Sequence, residues 1–188
     1  MKKITLIRHT TPKVEKGICY GQLDLPVASS FPQESASVRE KLGKADFDLL
    51  YSSPLLRTKL LAEALFSPSE IVFSDSLKEF DFGIFEGKRW TDLPQELFDA
   101  WDADLLNFQF EQGECLKGFY HRVKELTGAS AFQSAENIAI VTHAGVIRCL
   151  LAWAWDVEVE KIFQFDFPYG SVLEIKYWGP GKIQWKLL

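Results

Sequence analysis

Three short apolar runs in this 188-residue chain end in groups that can do chemistry. Ile4 to Ile7 leads into Arg8, His9, Thr10 and Thr11. Phe47 to Tyr51 leads into Ser52, Ser53 and then Arg57, and Asn137 to Thr142 leads into His143. Runs of this length, rich in β-branched residues, read as buried strands. In open α/β sheets ligands bind beyond the C-terminal ends of the strands, so neighbouring tips would place two arginines and two histidines in one crevice. A guanidinium stays cationic and its fork matches phosphoryl oxygens bidentately. A neutral imidazole is an available nucleophile near pH 7. Together these residue types favour phosphoryl chemistry, in which positioning and charge stabilisation supply most of the catalysis.

The elements that must position these groups can be traced along the chain. Residues 10 to 30, with Pro12, Gly17, Gly21 and Pro26, read as a long loop of the functional kind. Phe31 to Lys44 reads as a helix, with Pro32 in its first turn and Gly43 near its end. Ser52-Ser53-Pro54 opens a second helix, Leu55 to Phe66, with hydroxyls placed to cap it. Ile71 to Phe73 makes a short strand, Leu77 to Glu79 its exit, and Asp81 to Gly87 a glycine-containing loop. Between 90 and 112 aromatic residues alternate with acidic ones, and one or two helices are expected. Cys115 to Ser130 carries Leu116, Phe119, Val123 and Leu126 at helical spacing, and Val146 to Trp155 is a further helix. Ser171 to Trp178 and Lys182 to Leu187 read as antiparallel strands joined by a Gly-Pro-Gly turn. Alternating strand and helix predict an α/β fold, with helices on both faces of a mostly parallel sheet. One domain over 1–188 is expected, with 88–112 a candidate lid.

Composition narrows the class. Apolar residues are 47% and charged residues 25%, ordinary for a globular domain. A net charge of −5 leaves no basic footprint for nucleic acid. No apolar stretch approaches ~18 residues, so no membrane partner is expected, and no signal-peptide core follows the first lysines. Cys19, Cys115 and Cys149 are odd in number and scattered, which suits reduced thiols. A cytoplasmic location follows as the expectation; monomer and homodimer both remain open.

Leu6-Ile7-Arg8-His9-Thr10 resembles the Arg-His-Gly signature of the histidine phosphatase (phosphoglycerate mutase-like) superfamily. The companions stand in order: Tyr20-Gly21-Gln22, Ser52-Ser53-Pro54-Leu55-Leu56-Arg57, Leu77-Lys78-Glu79-Phe80, Phe85-Glu86-Gly87, Gly113-Glu114 and Thr142-His143-Ala144-Gly145-Val146-Ile147-Arg148. The resemblance implies a phosphoglycerate mutase-like three-layer α/β/α sandwich and hydrolysis of a small phosphorylated substrate, with no cofactor or metal. His9 would be the phosphorylated nucleophile. Arg8, Arg57 and His143 would surround the phosphoryl group, His143 most usefully when protonated, and Glu79 would be the general acid. Tyr20, Gly21, Gln22 and Ala144 would contact substrate. Within the superfamily the wording leans toward α-ribazole phosphatases. The rivals are a broad-specificity or sugar-phosphate phosphatase, a non-catalytic phosphoprotein-binding module and, weakest, a metal-dependent hydrolase.

Two positions depart from the family pattern. Thr10 replaces a glycine at a place where a backbone carbonyl is expected to hold the non-attacking nitrogen of His9, which a threonine allows only at negative φ. Cys115 replaces a serine, a better hydrogen-bond donor. Elsewhere, His121 reads as structural or exposed, Arg148 as a structural pairing residue and Glu86 as a brace for its loop. Cys19 and Cys149 read as small apolar residues. The aromatic series from 90 to 110 is core, or in part a lid suited to a flat benzimidazole, with Trp101 and Phe108 as its candidates.

Overall fold

The computed structural model of the chain, Met1 to Leu188, contains one six-stranded sheet. In chain order the elements are β1 (Lys2–Arg8), α1 (Phe31–Leu42), β2 (Leu49–Ser52), α2 (Leu56–Leu65), β3 (Ile71–Phe73) and α3 (Gln95–Ala103). Then follow α4 (Leu116–Gly128), α5 (Ser130–Ser134), β4 (Asn137–Thr142), α6 (Ala144–Trp155), β5 (Val172–Gly179) and β6 (Lys182–Leu187). The strand order is β3-β2-β4-β1-β5-β6. The first four run parallel; β5 and β6 add antiparallel.

Strand alternation divides the core into two layers. Ile4 and Leu6 of β1, Ile138 and Ile140 of β4, and Leu173 and Ile175 of β5 pack with Phe119, Val123, Val146 and Leu150 of α4 and α6. Ile7, Val141 and Val172 point the other way, onto Val38 of α1 and Leu61 and Ala62 of α2. The result is the expected α/β/α sandwich. No helix is long and apolar enough to cross a membrane.

Several boundaries differ from the sequence reading for local reasons. The 90–112 stretch holds one α-helix, α3, which starts after Pro94 and stops at Asp104; a single 3-10 turn over Trp90–Asp92 precedes it, and turns and irregular chain follow. The helix expected over 115–130 ends at Gly128, because Ala129 is extended, and a short α5 follows. Ser53 does not cap α2. Asp24, from the long loop, accepts the Leu56 amide at 2.6 Å instead, which ties that loop to the helix start. Cys115 is the N-cap of α4, its sulfur accepting the Gly118 amide at 3.4 Å. The thiol thus does as a weak acceptor what a serine hydroxyl does at this position.

Candidate active site

The parallel register brings the three polar tips together. Arg8 lies opposite Thr142 and Ser52 opposite Val141. The ladder extends one residue further on each side, from the His9 amide to the Thr142 carbonyl at 2.9 Å and from the Ser53 amide to the Val141 carbonyl at 3.0 Å. His9, His143 and Ser53 therefore leave the sheet side by side. The two imidazoles meet edge to face with centroids 5.1 Å apart, and both are buried.

The chain fixes the tautomer of His9. Its Nδ1 lies 2.7 Å from the carbonyl oxygen of Thr10. A carbonyl can only accept, so Nδ1 carries the proton and Nε2 keeps its lone pair. Thr10 is not among the residues with positive φ, which meets the condition set for a threonine here. His143 is held from the other side, its Nε2 2.9 Å from the Ser53 hydroxyl. Ser53 Oγ also accepts the Leu55 amide at 3.4 Å. His143 Nδ1 is buried without a protein partner.

Two guanidiniums complete the cradle. Arg57, fully buried in the first turn of α2, donates to the carbonyls of Leu23 at 2.9 Å and Gly21 at 2.6 Å. Arg8 donates to the Phe167 carbonyl and lies 4.1 Å beneath the ring of Tyr169. In both, Nε is buried with no partner. Three buried nitrogens without a protein partner, Arg8 Nε, Arg57 Nε and His143 Nδ1, belong to side chains grouped with His9 at the strand tips, and a buried polar group without a partner is costly unless a ligand satisfies it. An anion with several acceptor oxygens fits this cluster. Burial first, and then the charges of Arg57 and Arg8, hold the pKa of His9 well below the ordinary histidine value, against the opposing pull of its bond to Thr10. Burial, then Arg57, His9 and Arg8, do the same to His143. Both shifts favour the neutral imidazoles before an anion arrives.

Glu79 faces the cradle from the segment after β3. Its carboxylate accepts the Phe80 amide at 2.9 Å and the Gly145 amide, in the first turn of α6, at 3.1 Å. Gly145 is glycine for a steric reason: a Cβ there would sit 2.2 Å from Glu79 Oε1 and 3.0 Å from the Phe119 ring. Gly21 is equally constrained, since a Cβ would lie 1.7 Å from the Phe80 carbonyl oxygen. The backbone around Glu79 is pinned by a residue that the sequence reading passed over. Arg122 of α4 donates to the carbonyls of Ser76 at 3.0 Å, Lys78 at 2.8 Å and Glu79 at 2.8 Å, and pairs bidentately with Glu114.

Next to Glu79 opens a cavity of about 120 Å³, walled mainly by Phe80, Phe82, Trp101, Leu105, Phe119 and Phe163, with Tyr20 and Arg148 also at its wall. Of the proposed lid aromatics, Trp101 reaches it. Phe108 does not; it packs on the fully buried Phe110. Gln22 and Ala144 lie outside the lining; Ala144 is buried, and the Gln22 amide is held by Glu86 at 2.8 Å. Glu86 also accepts the amides of Leu23 and Phe82, so it is the loop brace expected. Tyr169, unforeseen, lies 5.4 Å from the His9 ring and bonds to the Tyr20 hydroxyl, roofing the cradle. His121 is exposed. Cys19 is buried and its thiol is pushed up to about 12 by burial, as suits an inert core residue.

Comparison with known proteins agrees with this geometry. The chain is 28% identical over 177 residues to the adenosylcobalamin/alpha-ribazole phosphatase of Escherichia coli, covering 89% of this chain and 86% of that protein. It is 26% identical over 172 residues to phosphoserine phosphatase 1 of Hydrogenobacter thermophilus, covering 88% and 82%. Its structure superposes on the alpha-ribazole phosphatase of Shigella flexneri with a TM-score of 0.87 at 25% identity, over 99% of this chain and 95% of that one. The model of the histidine phosphatase superfamily, branch 1, matches residues 4–187. With its cationic cradle at the strand tips, this chain belongs to the histidine phosphatase superfamily and is a phosphatase.

Proposed function

We infer that the chain hydrolyses a phosphomonoester through a phosphohistidine, and that its substrate is α-ribazole 5′-phosphate. The observation that carries the covalent mechanism is the state of His9: one ring nitrogen is locked to a carbonyl and the other has no hydrogen-bond partner, while the neighbouring Arg8, Arg57 and His143 each carry a buried nitrogen without one. The phosphoryl group enters with its oxygens on Arg8, Arg57 and His143. His9 Nε2 forms a bond to phosphorus while the bond to the alcohol oxygen breaks, and Glu79 delivers a proton to that oxygen. Water then attacks phosphorus, the N–P bond breaks, and Glu79 takes the water's proton as inorganic phosphate forms. The incoming dianion supplies the counter-charge that lets His143 hold a proton during transfer.

The aromatic walls beside Glu79 support the substrate, since they offer a flat surface to a base-like ring rather than a polar site for a sugar. Relatives named alpha-ribazole phosphatase, at 28% identity and a TM-score of 0.87, support it as well. A broad-specificity phosphatase is the second reading, favoured by the comparable 26% identity to a phosphoserine phosphatase. The test is the rate on α-ribazole 5′-phosphate against phosphoserine and a panel of sugar and nucleotide monophosphates, together with trapping of a phosphoenzyme. His9→Ala should lower turnover by at least roughly a thousandfold and abolish the trapped species. Substantial residual turnover would end the covalent mechanism, and equal rates across the panel would end the ribazole assignment.

A further inference from the structure

The cavity beside Glu79 contains one feature that an apolar box does not require. Arg148, in α6, reaches its wall among residues that are mostly aromatic or aliphatic. Its Nε donates to the Phe165 carbonyl at 2.9 Å, and its guanidinium carbon lies 5.7 Å from the Phe163 ring centroid. That single hydrogen bond fixes the plane of the group. Neither Nη nitrogen has a hydrogen bond to the protein, and Arg148 makes no ion pair. Asp166 and Glu79 are near enough to be felt electrostatically. Neither is a partner: Asp166 is exposed, and neither carboxylate makes an ion pair or hydrogen bond with Arg148. Arg148 is half-buried, and the free edge of its guanidinium, unpaired with any protein group at the wall of a mostly apolar cavity, is available to an acceptor on a ligand.

Charge sharpens the point. While Glu79 carries the proton it delivers, the cavity holds one cation and no anion of its own. An oxygen on the departing alcohol is the acceptor that reaches the cavity at that moment. The volume of about 120 Å³ is close to the ~150 Å³ that accommodates a benzene ring. We propose that this cavity is the leaving-group subsite, that it seats a flat ring of the departing alcohol, and that Arg148 is the specificity residue that reads an oxygen acceptor carried by that alcohol. The proposal rests on the phosphohistidine reading above and narrows its substrate class: phosphate esters whose alcohol combines a ring with a hydroxyl, carbonyl or carboxylate oxygen. It also gives Arg148 a role other than the structural pairing expected from its place in a helix.

The experiment compares kcat/KM for 3- and 4-carboxyphenyl phosphate with that for phenyl phosphate, in the native protein and in Arg148→Met and Arg148→Lys. Differences in the intrinsic leaving ability of the phenols cancel when the native ratio is divided by the variant ratio. A charge-assisted hydrogen bond makes the expected change a fall of roughly tenfold or more in Arg148→Met for at least one carboxylated isomer. Arg148→Lys should fall less, since it keeps the charge but loses the fork. An equal loss on all three substrates, or unchanged ratios, overturns the proposal. Should Arg148→Met fail to fold, competition in the native protein decides the matter: 3- and 4-hydroxybenzoate inhibiting no better than phenol overturns it too. Trapping the phosphoenzyme with the same substrates separates the two levels. No phosphoenzyme at all means that the covalent reading has failed, whereas a normal phosphoenzyme with unmoved ratios means that only the subsite has.

Discussion

The guanidinium of Arg122 donates to the carbonyl oxygen of Glu79 at 2.8 Å, and its four remaining N–H groups are all engaged, by Glu114 and by the carbonyls of Ser76 and Lys78. One side chain thus uses its full set of five donors to hold the backbone that presents Glu79, the proposed proton donor. Glu114 closes the arrangement by accepting the Asp81 amide at 2.9 Å. A lysine at 122 has at most three donors and no fixed fork, so Arg122→Lys should let the 76–79 segment shift.

The consequence should depend on the leaving group. For phosphate esters of alkyl alcohols, which need the proton, Arg122→Lys should lower kcat by roughly 10–100-fold, a fraction of the 10²–10⁴-fold expected for Glu79→Gln. For p-nitrophenyl phosphate, whose leaving group departs unaided, the loss should be small in both. The check is a series of esters graded by leaving-group acidity, with thermal unfolding measured alongside. A loss of equal size across the series would reduce Arg122 to a brace for the fold.

Gly145→Ala tests the same proton donor from the opposite side. The added methyl would lie 2.2 Å from Glu79 Oε1 and about as near to the Phe119 ring as contact allows, at 3.0 Å. The carboxylate is the softer of the two neighbours, because Phe119 is buried in the main core. Glu79 should swing away and lose the Gly145 amide. The expected result is a drop in kcat for alkyl esters that Glu79→Gln does not deepen, read from a double-mutant cycle. Additive losses would show that the two residues act separately.

Much of this arrangement was legible in the sequence because strand tips carry a local signal. An apolar run that stops at Arg8-His9 or Thr142-His143 announces both the element and the place where it delivers its polar group, and parallel register did the rest. Arg57 could be placed because it opens a helix directly after β2. Arg122 and Tyr169 could not. Arg122 sits on an amphipathic helix whose apolar face was plain, but its partners lie about 40 residues earlier, and nothing local marks a side chain that binds distant carbonyls. Tyr169 belongs to an irregular segment before β5, and only the sheet order, which sets β5 beside β1, brings it over Arg8. The capping of α2 was misassigned for the same reason: Asp24 and Leu56 meet only in three dimensions.

The two candidate lid aromatics should separate in their effects. Trp101 lines the cavity and also stacks on Trp90, with centroids 6.4 Å apart. Phe108 packs edge to face on Phe110, 5.1 Å away, in the core. Trp101→Ala should shift selectivity between α-ribazole 5′-phosphate and small alkyl phosphates by several-fold or more. Phe108→Ala should lower the unfolding temperature, with a cost within the roughly 3–5 kcal/mol range for truncating core aromatics and nearer its low end for a half-buried ring. Selectivity should be unmoved in Phe108→Ala. A reversed pattern would relocate the lid.

Tyr169→Ala should open the roof over Arg8 and His9. The ring that covers the Arg8 guanidinium at 4.1 Å would be gone, along with the hydroxyl contact to Tyr20. Water would then reach His9, whose pKa is lowered chiefly by burial. The His9 resonance should titrate at a higher pH in Tyr169→Ala than in the native protein, and KM should rise as the cradle loses its cover. An unchanged His9 titration measured by NMR would mean that the roof does not control burial of His9.

Acid should destabilise the ligand-free protein through its histidine pair. His9 and His143 are almost wholly buried, and both have pKa values held well below the ordinary 6.5. In the unfolded chain each binds a proton as pH falls through about 6.5, while in the folded chain neither does until lower pH, so the unfolded state holds more protons in that window. Stability from this source is therefore level above about pH 7 and declines below about 6.5, with a slope approaching ~1.4 kcal/mol per pH unit for each histidine. Sulfate, a dianion throughout this range, should seat on Arg8, Arg57 and His143, draw the His143 pKa upward and flatten the decline. Unfolding temperatures from pH 8 to pH 5, with and without saturating sulfate, check both halves. A flat profile without sulfate would mean that these imidazoles are not held neutral by the fold. Equal slopes in the two series would mean that the anion does not meet His143.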